Sequence, residues 1–179
     1  MINSIDLDQL QRAREHIAAH PAEGIARYGV GLTWQEGVRA TVSTLPMQIG
    51  ETTLPRSFGW TVDEPPELLG QSKGPTPQEL LMSGVGACIM VGFVVNAAAK
   101  GVRLRSLTVE LRGSLDLAGF MNLRSDAQIK MLGLEYAITV DCDAADEVLA
   151  EIERVAVEFS PNAMTVRNGV PLSGKVVRN

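Results

Sequence analysis

The sequence predicts an α+β fold built on a largely antiparallel sheet. Three observations carry that reading. Two stretches late in the chain alternate apolar and polar residues with period two, the pattern of a sheet with one buried face. An uncharged run of twenty residues, Leu80 to Ala99, reads LLMSGVGACIMVGFVVNAAA. A helix apolar on all sides is a core helix. A later segment, 144–158, repeats apolar residues at helical spacing.

The elements follow in chain order. Leu7, Leu10, Ala13 and Ile17 recur at helix spacing and Pro21 closes the segment, so residues 5–20 are expected as a helix. Residues 1–24 read as an N-terminal helical extension and 25–179 as the domain proper. Strands are expected over 25–34 and 38–49, joined by a turn at Gln35, Glu36 and Gly37. Arg56 to Val62, with Phe58 and Trp60, is a third. The next segment, DEPPELLGQSKGPTP, holds four prolines and two glycines between Asp63 and Pro77 and is expected as a loop.

Thr76 then stands as a helix N-cap, Pro77 as the first helical residue, and Glu79 completes a capping box. That helix should run from Pro77 to about Lys100 and stop at Gly101. Leu107, Val109 and Leu111 alternate with Thr108, Glu110 and Arg112 in one strand. Leu134, Tyr136, Ile138 and Val140 do the same in another. Residues 113–126 between them read as irregular. Asp143 is expected to cap a second helix over 144–158, with Val148, Leu149, Ile152, Val155 and Phe159 on its apolar face. Ser160–Pro161 breaks it, and VPLSGKVV, residues 170–177, is expected as a last strand.

Composition excludes several classes. The net charge is −5, the pI about 5.1, and no basic run exists, which argues against nucleic acid and anionic membrane surfaces as partners. The apolar run has the length of a membrane span. It contains Ser83, Asn96 and three glycines, and has neither an aromatic belt nor a second candidate beside it. A core helix is therefore the preferred reading. The N-terminus, MINSIDLDQLQRAREH, is polar and acidic rather than a secretory signal, and cysteine is sparse, so a cytoplasmic location is expected.

Cys88 and Cys142 have neither CxxC nor Cys/His spacing, so no structural zinc site and no cofactor is expected. His16 and His20 read as solvated helix residues, and Trp34 and Trp60 as core or interface aromatics. The Asp63–Glu64 pair is weak evidence for a metal. Gly84, Cys88 and Gly92 are spaced by four and share one helix face. A stripe of small residues lets another backbone approach, either the second helix or the same helix of another subunit. Cys88 on that stripe is either a small apolar filler or a working thiol. Cys142 lies between Asp141 and Asp143, whose charge disfavours a thiolate nucleophile.

The stretch DEPPELLGQSKGPTPQELLMSGVGACI resembles the OsmC/Ohr family, whose signature is a Pro-x-Glu-Leu-Leu helix start followed by Gly-Ala-Cys. The tail, DCDAADEVLAEIERVAVEFSPNAMTVRNGVPLSGKVV, is similar to the family's second helix, its Ser/Cys-Pro element and its final strand. The likeness covers residues 25 to 179. It implies two central helices sandwiched by two sheets in an intertwined homodimer, with active sites at the subunit interface. It also implies a thiol peroxidase acting on organic hydroperoxides, in which a first cysteine forms a sulfenic acid, a second resolves it as a disulfide, and an Arg and a Glu activate the first.

Carried onto this chain, the resemblance makes Cys88 the peroxidatic candidate and places Ser160 where the resolving cysteine belongs. Gln78 stands at the glutamate position, with Glu79 one step, or about 100 degrees, further round the helix. Arg39 and Arg56 are the candidate arginines. Without a resolving thiol, a sulfenic acid needs an external thiol or proceeds to sulfinic acid. The expected function is a one-cysteine hydroperoxide reductase recycled by an external thiol. The alternative is a non-catalytic dimer of the same fold, structural or holding a small apolar molecule in a pocket lined by Met82, Met90 and Phe93.

Overall fold

A computed structural model describes residues 1–178 and divides into two units. Asp6–Leu81 make up the first. Met82 onward, together with Ile2–Ile5, make up the second.

In the first unit, helix α1 (Leu7–Ala19) starts at Asp6, whose carboxylate accepts the N–H groups of Asp8 and Gln9 at 3.0 Å. A 3-10 turn, Pro21–Gly24, follows. The strands are β1 (Ala26–Arg27), β2 (Val30–Glu36), β3 (Arg39–Thr44), β4 (Met47–Ile49), β5 (Thr52–Leu54) and β6 (Gly59–Val62). They form two antiparallel sheets, ordered β1-β4-β5 and β2-β3-β6.

Each long strand expected here is in fact two. Pro46 has no N–H for a ladder, so β3 and β4 separate beside it. Opposite the break, Leu45 N–H donates to the Gly29 carbonyl at 2.9 Å, and the Leu45 side chain fills the space a Cβ on Gly29 would need. This corner passes the chain from one sheet to the other. Strand β2 runs on through Glu36, with a bulge between Trp34 and Glu36, so the turn falls at Gly37–Val38 instead of Gln35–Gly37. Gly37 takes φ +53 there. Trp34 is not a core residue: it is exposed, and its indole N–H donates to the Gly37 carbonyl at 2.9 Å.

Helix α2 (Pro77–Ala99) begins as its capping box dictates. The Glu79 carboxylate accepts the Thr76 N–H at 2.7 Å, and Thr76 Oγ1 accepts the Glu79 N–H at 3.2 Å. Gly101, at φ +76, follows its end. By length and composition α2 could cross a membrane, yet Val85, Gly86, Ile89, Phe93, Ala97 and Ala98 are buried inside the protein.

In the second unit, β7 (Ser106–Ser114) and β8 (Gly133–Asp141) pair antiparallel from Ser106–Asp141 to Ser114–Gly133. The segment expected as irregular holds a short helix, α3 (Leu117–Phe120), capped by Asp116. Helices α4 (Asp146–Glu158) and α5 (Pro161–Asn168) follow.

Phe93 and Ala97 of α2 meet Ile152 and Ala156 of α4 in the core, flanked by Leu107, Ile138, Val140, Val148 and Leu149. The small-residue stripe serves this contact: a Cβ on Gly92 would stand 3.2 Å from the Ala156 backbone. Gly86, on another side of α2, leaves room for Leu111 of β7.

Four details depart from expectation. Asp143 does not cap α4, which starts two residues beyond the expected point behind Ala145; Asp143 pairs with Arg105 at 2.8 Å instead. Phe159 sits at the C-cap and is 76% exposed rather than on the buried face. Ser160–Pro161 ends α4 but also starts α5. Residues 170–177 form no strand, and Leu172 is 100% exposed. A strand needs a ladder partner, and among the described residues this segment has none. Truncating fully buried Ile152 to Ala should cost about 3 kcal/mol, read as a lower urea midpoint with unchanged slope.

Candidate functional site

Cys88 lies near the middle of α2, half-buried and with its thiol free. One turn before it, the Gly84 carbonyl accepts a hydrogen bond from Asn162 Nδ2 of α5 at 2.8 Å. One turn after it, Gly92 lies on α4 at Ala156. Cys88 therefore shares the α2 face that α4 and α5 cover, and the corner joining those two helices is Ser160.

Ser160 is buried, and its Oγ accepts the Ala163 N–H at 3.2 Å as the N-cap of α5. The position that the resemblance gives to a resolving thiol is here a helix cap. Gln78 is half-buried near the start of α2. Glu79 is exposed, and Oε2 of its carboxylate accepts both the Thr76 N–H and its hydroxyl, which commits it to the cap. The second thiol, Cys142, is half-buried between β8 and α4. Its neighbours are occupied: Arg105 pairs with Asp141 at 2.6 Å and with Asp143 at 2.8 Å. The Arg105 hydrogen bond holds the Asp141 carboxyl below the usual carboxylate range.

The first unit contains a second titratable cluster. Buried Asp63 accepts the N–H groups of Glu64 at 2.9 Å, of Gln71 at 3.1 Å and of Lys73 at 3.1 Å. One side chain thus gathers the whole proline-rich loop. Gly70 and Gly74 permit the closure, since a Cβ would lie 1.8 Å from the Glu64 carbonyl oxygen at the first and 2.3 Å from that of Thr61 at the second. Burial alone would raise the Asp63 pKa. The three N–H donors, with help from the Arg39 charge, outweigh it and hold the carboxyl below its ordinary value.

Arg39 is held by Glu36 and by Gln71 Oε1, the latter at 3.2 Å. Arg56, in contrast, is exposed and stacks on Phe58, 4.7 Å from the ring centroid. Glu64 is the unsatisfied member of the cluster. Its Oε2 is buried without a hydrogen-bond partner among the described residues. Burial first, then the charges of Asp63 and Glu79, push its pKa up. The Asp63–Glu64 pair is thus a loop clasp with one strained carboxyl, and Asp63's oxygens are already taken by backbone.

The family model for OsmC-like protein matches residues 70–174, from the loop through α5 and into the tail. The chain belongs to the OsmC-like protein family. Solved structures agree with it in fold. An OsmC-like protein from Mycoplasma pneumoniae is 18% identical, with a TM-score of 0.61 over 79% of this chain and 88% of that one. An OsmC-like protein of unknown function from Vibrio cholerae is 15% identical, with a TM-score of 0.57 over 79% and 94%. An organic hydroperoxide resistance protein from Elizabethkingia anophelis is 15% identical, with a TM-score of 0.54 over 79% and 89%. No curated protein matches this chain in sequence.

In this OsmC-like chain the pocket expected from the sequence rests on Met82, Met90 and Phe93 of α2. Phe93 is in the core, and Met82 and Met90 are half-buried on α2. A cleft of about 510 Å³ in the second unit is lined by Val85, Ile89, Leu111, Met131, Tyr136 and Met164, with Lys130 and Arg167 among its polar members. Val85 and Ile89 are spaced by four like the small-residue stripe, one position further round α2. The spacing was visible in the sequence, but its facing partner, the 128–136 segment, was not. Tyr136 donates its phenolic hydrogen to Glu153, and its pKa is pushed up to about 12, by that bond first and by burial second.

The raised pKa of Glu64 fixes the sign of a prediction. A carboxyl whose folded pKa exceeds its unfolded value costs stability once pH rises above both, and costs nothing below them. Glu64→Gln should therefore stabilise the protein against urea at pH 7. The gain should vanish as pH falls towards about 4, the ordinary glutamate range.

Proposed function

We propose that this OsmC-like protein is a one-cysteine, thiol-dependent organic hydroperoxide reductase, working as a cytoplasmic homodimer. The observation that carries the reading is Cys88: a free thiol in the family's helix, on the face bracketed by Gly84 and Gly92, with a capping serine at the α4–α5 corner. The reading is supported by the likeness in fold to the Elizabethkingia protein, an organic hydroperoxide resistance protein.

In the proposed cycle the Cys88 thiolate attacks the distal oxygen of the hydroperoxide. The O–O bond breaks, a proton joins the leaving alkoxide as alcohol, and Cys88 is oxidised to sulfenic acid. An external thiol then attacks that sulfur, water leaves, and a mixed disulfide remains. A second external thiol displaces Cys88 in its reduced form. The two external thiols are oxidised and the hydroperoxide is reduced. The Ser160 hydroxyl cannot take the external thiol's place. The dimer reading is supported by the resemblance and by apolar side chains left open, Val91 on α2 and Leu172 and Val176 in the tail. The cytoplasmic reading is supported by two free cysteines.

A second reading has its own observation. The cleft lined by Val85, Ile89 and Met164 does not include Cys88, and it suits an apolar molecule held without turnover.

The test is consumption of tert-butyl hydroperoxide with dithiothreitol as reductant. Wild type and Cys142→Ser should turn over, and Cys88→Ser should fall to the uncatalysed rate. Ser160→Cys should trap the oxidised state as an intramolecular disulfide to Cys88, seen as a loss of two mass units. Equal consumption by Cys88→Ser and wild type would sink the reductase. Binding of an apolar dye, without turnover and lost in Val85→Arg, would establish the second reading.

A further inference from the structure

We propose that His16, His20 and Glu23 form a site for a divalent transition-metal ion of the zinc type, joining the end of α1 to the turn that follows. The proposal is independent of Cys88 and its chemistry. It concerns the segment that the sequence reads as an appendage.

The backbone brings the three side chains together. His16 and His20 are one turn apart on α1 and its C-cap, so they share a face. His20 N–H donates to the His16 carbonyl at 2.8 Å, and Glu23 N–H donates to the His20 carbonyl at 3.0 Å. Pro21 opens the 3-10 turn that folds Glu23 back over the helix end. His16 Nε2 and Glu23 Oε2 are 2.8 Å apart. One ligand atom from each of the three residues lies within 4.8 Å of the others. Zinc ligands at about 2.0–2.1 Å in tetrahedral geometry stand about 3.3 Å from one another. Rotation of exposed side chains covers the difference.

Two further features suit a cation. His20 Nδ1 lies 3.1 Å from the His16 carbonyl oxygen. A ligating histidine characteristically donates its second ring N–H to such a carbonyl, which leaves Nε2 facing the metal. The site also sits at the C-terminal end of α1, where the helix carbonyls carry partial negative charge. Two imidazoles and one carboxylate select zinc, nickel or copper over magnesium and calcium, which take oxygen ligands.

A metal held here would bind the folded chain more tightly than the unfolded one, and so stabilise the junction of α1 with the turn that follows it. The full-length protein, with any affinity tag removed, would be titrated with zinc chloride by calorimetry and with cobalt chloride by absorption. The expected result is one zinc per chain, a higher melting temperature with zinc, and a cobalt spectrum without a thiolate charge-transfer band. His16→Ala and His20→Ala should each lose at least about tenfold in affinity, since even an outer partner of a ligand is worth that much. Glu23→Gln should weaken binding too. All three residues are exposed, so the variants should keep the wild-type circular dichroism. Absence of zinc binding overturns the proposal. So does binding unaffected by His16→Ala, or a thiolate band that moves the metal to Cys88 or Cys142.

Discussion

The contact between α2 and α4 is the constraint on which the second unit depends. Gly92 admits the Ala156 backbone so closely that even a Cβ there would be crowded, and Phe93 and Ile152 then close over one another. Hydrophobic burial drives the contact, but the glycine decides how near the helices come. The same approach brings α5 round to hydrogen-bond the Gly84 carbonyl. Cys88 acquires its setting from this packing, because both of its neighbours along the face are fixed by other helices.

Much of the fold was legible because it rests on local rules. Thr76, Pro77 and Glu79 specify the start of α2 within three residues, and the structure forms that box. The alternation in β7 and β8 fixes two strands whose ladder runs their full length. The misses share one cause, the dependence of an element on partners distant in the chain that sequence does not reveal. The 25–34 and 38–49 stretches look continuous, yet the Gly29–Leu45 corner shares them between two sheets. Residues 170–177 have the composition of a strand, yet none of the described strands pairs with them. Asp143 looked like a cap until Arg105, 38 residues earlier in the chain, claimed it.

The site was less legible than the fold. Resemblance located Cys88 and Ser160, but only the structure shows that Ser160 has a task of its own in capping α5. Likewise Glu79, one helix step away from the glutamate position that Gln78 occupies, spends its carboxylate on Thr76. That Val85 and Ile89 line a cleft could not be read from the sequence, since a helix apolar on all sides gives no clue to which side is lined and which is packed. The histidines were read as solvated, which they are. Their convergence with Glu23 depends on a 3-10 turn that Pro21 only hints at.

The loop ahead of α2 has a consequence of its own. Asp63 and Glu64 are adjacent, and their titrations pull in opposite directions. Asp63 contributes as a carboxylate, so its clasp is complete above the ordinary aspartate range and opens as pH falls through its lowered pKa. Glu64 is best tolerated as a neutral acid, so its cost begins as pH climbs past the ordinary glutamate range and is complete above its raised pKa. Between those two points the segment has its acceptor charged and its misfit discharged. The entrance to the long helix is therefore most firmly held in acidic solution, near the ordinary carboxylate range, and it loosens on both sides of that window.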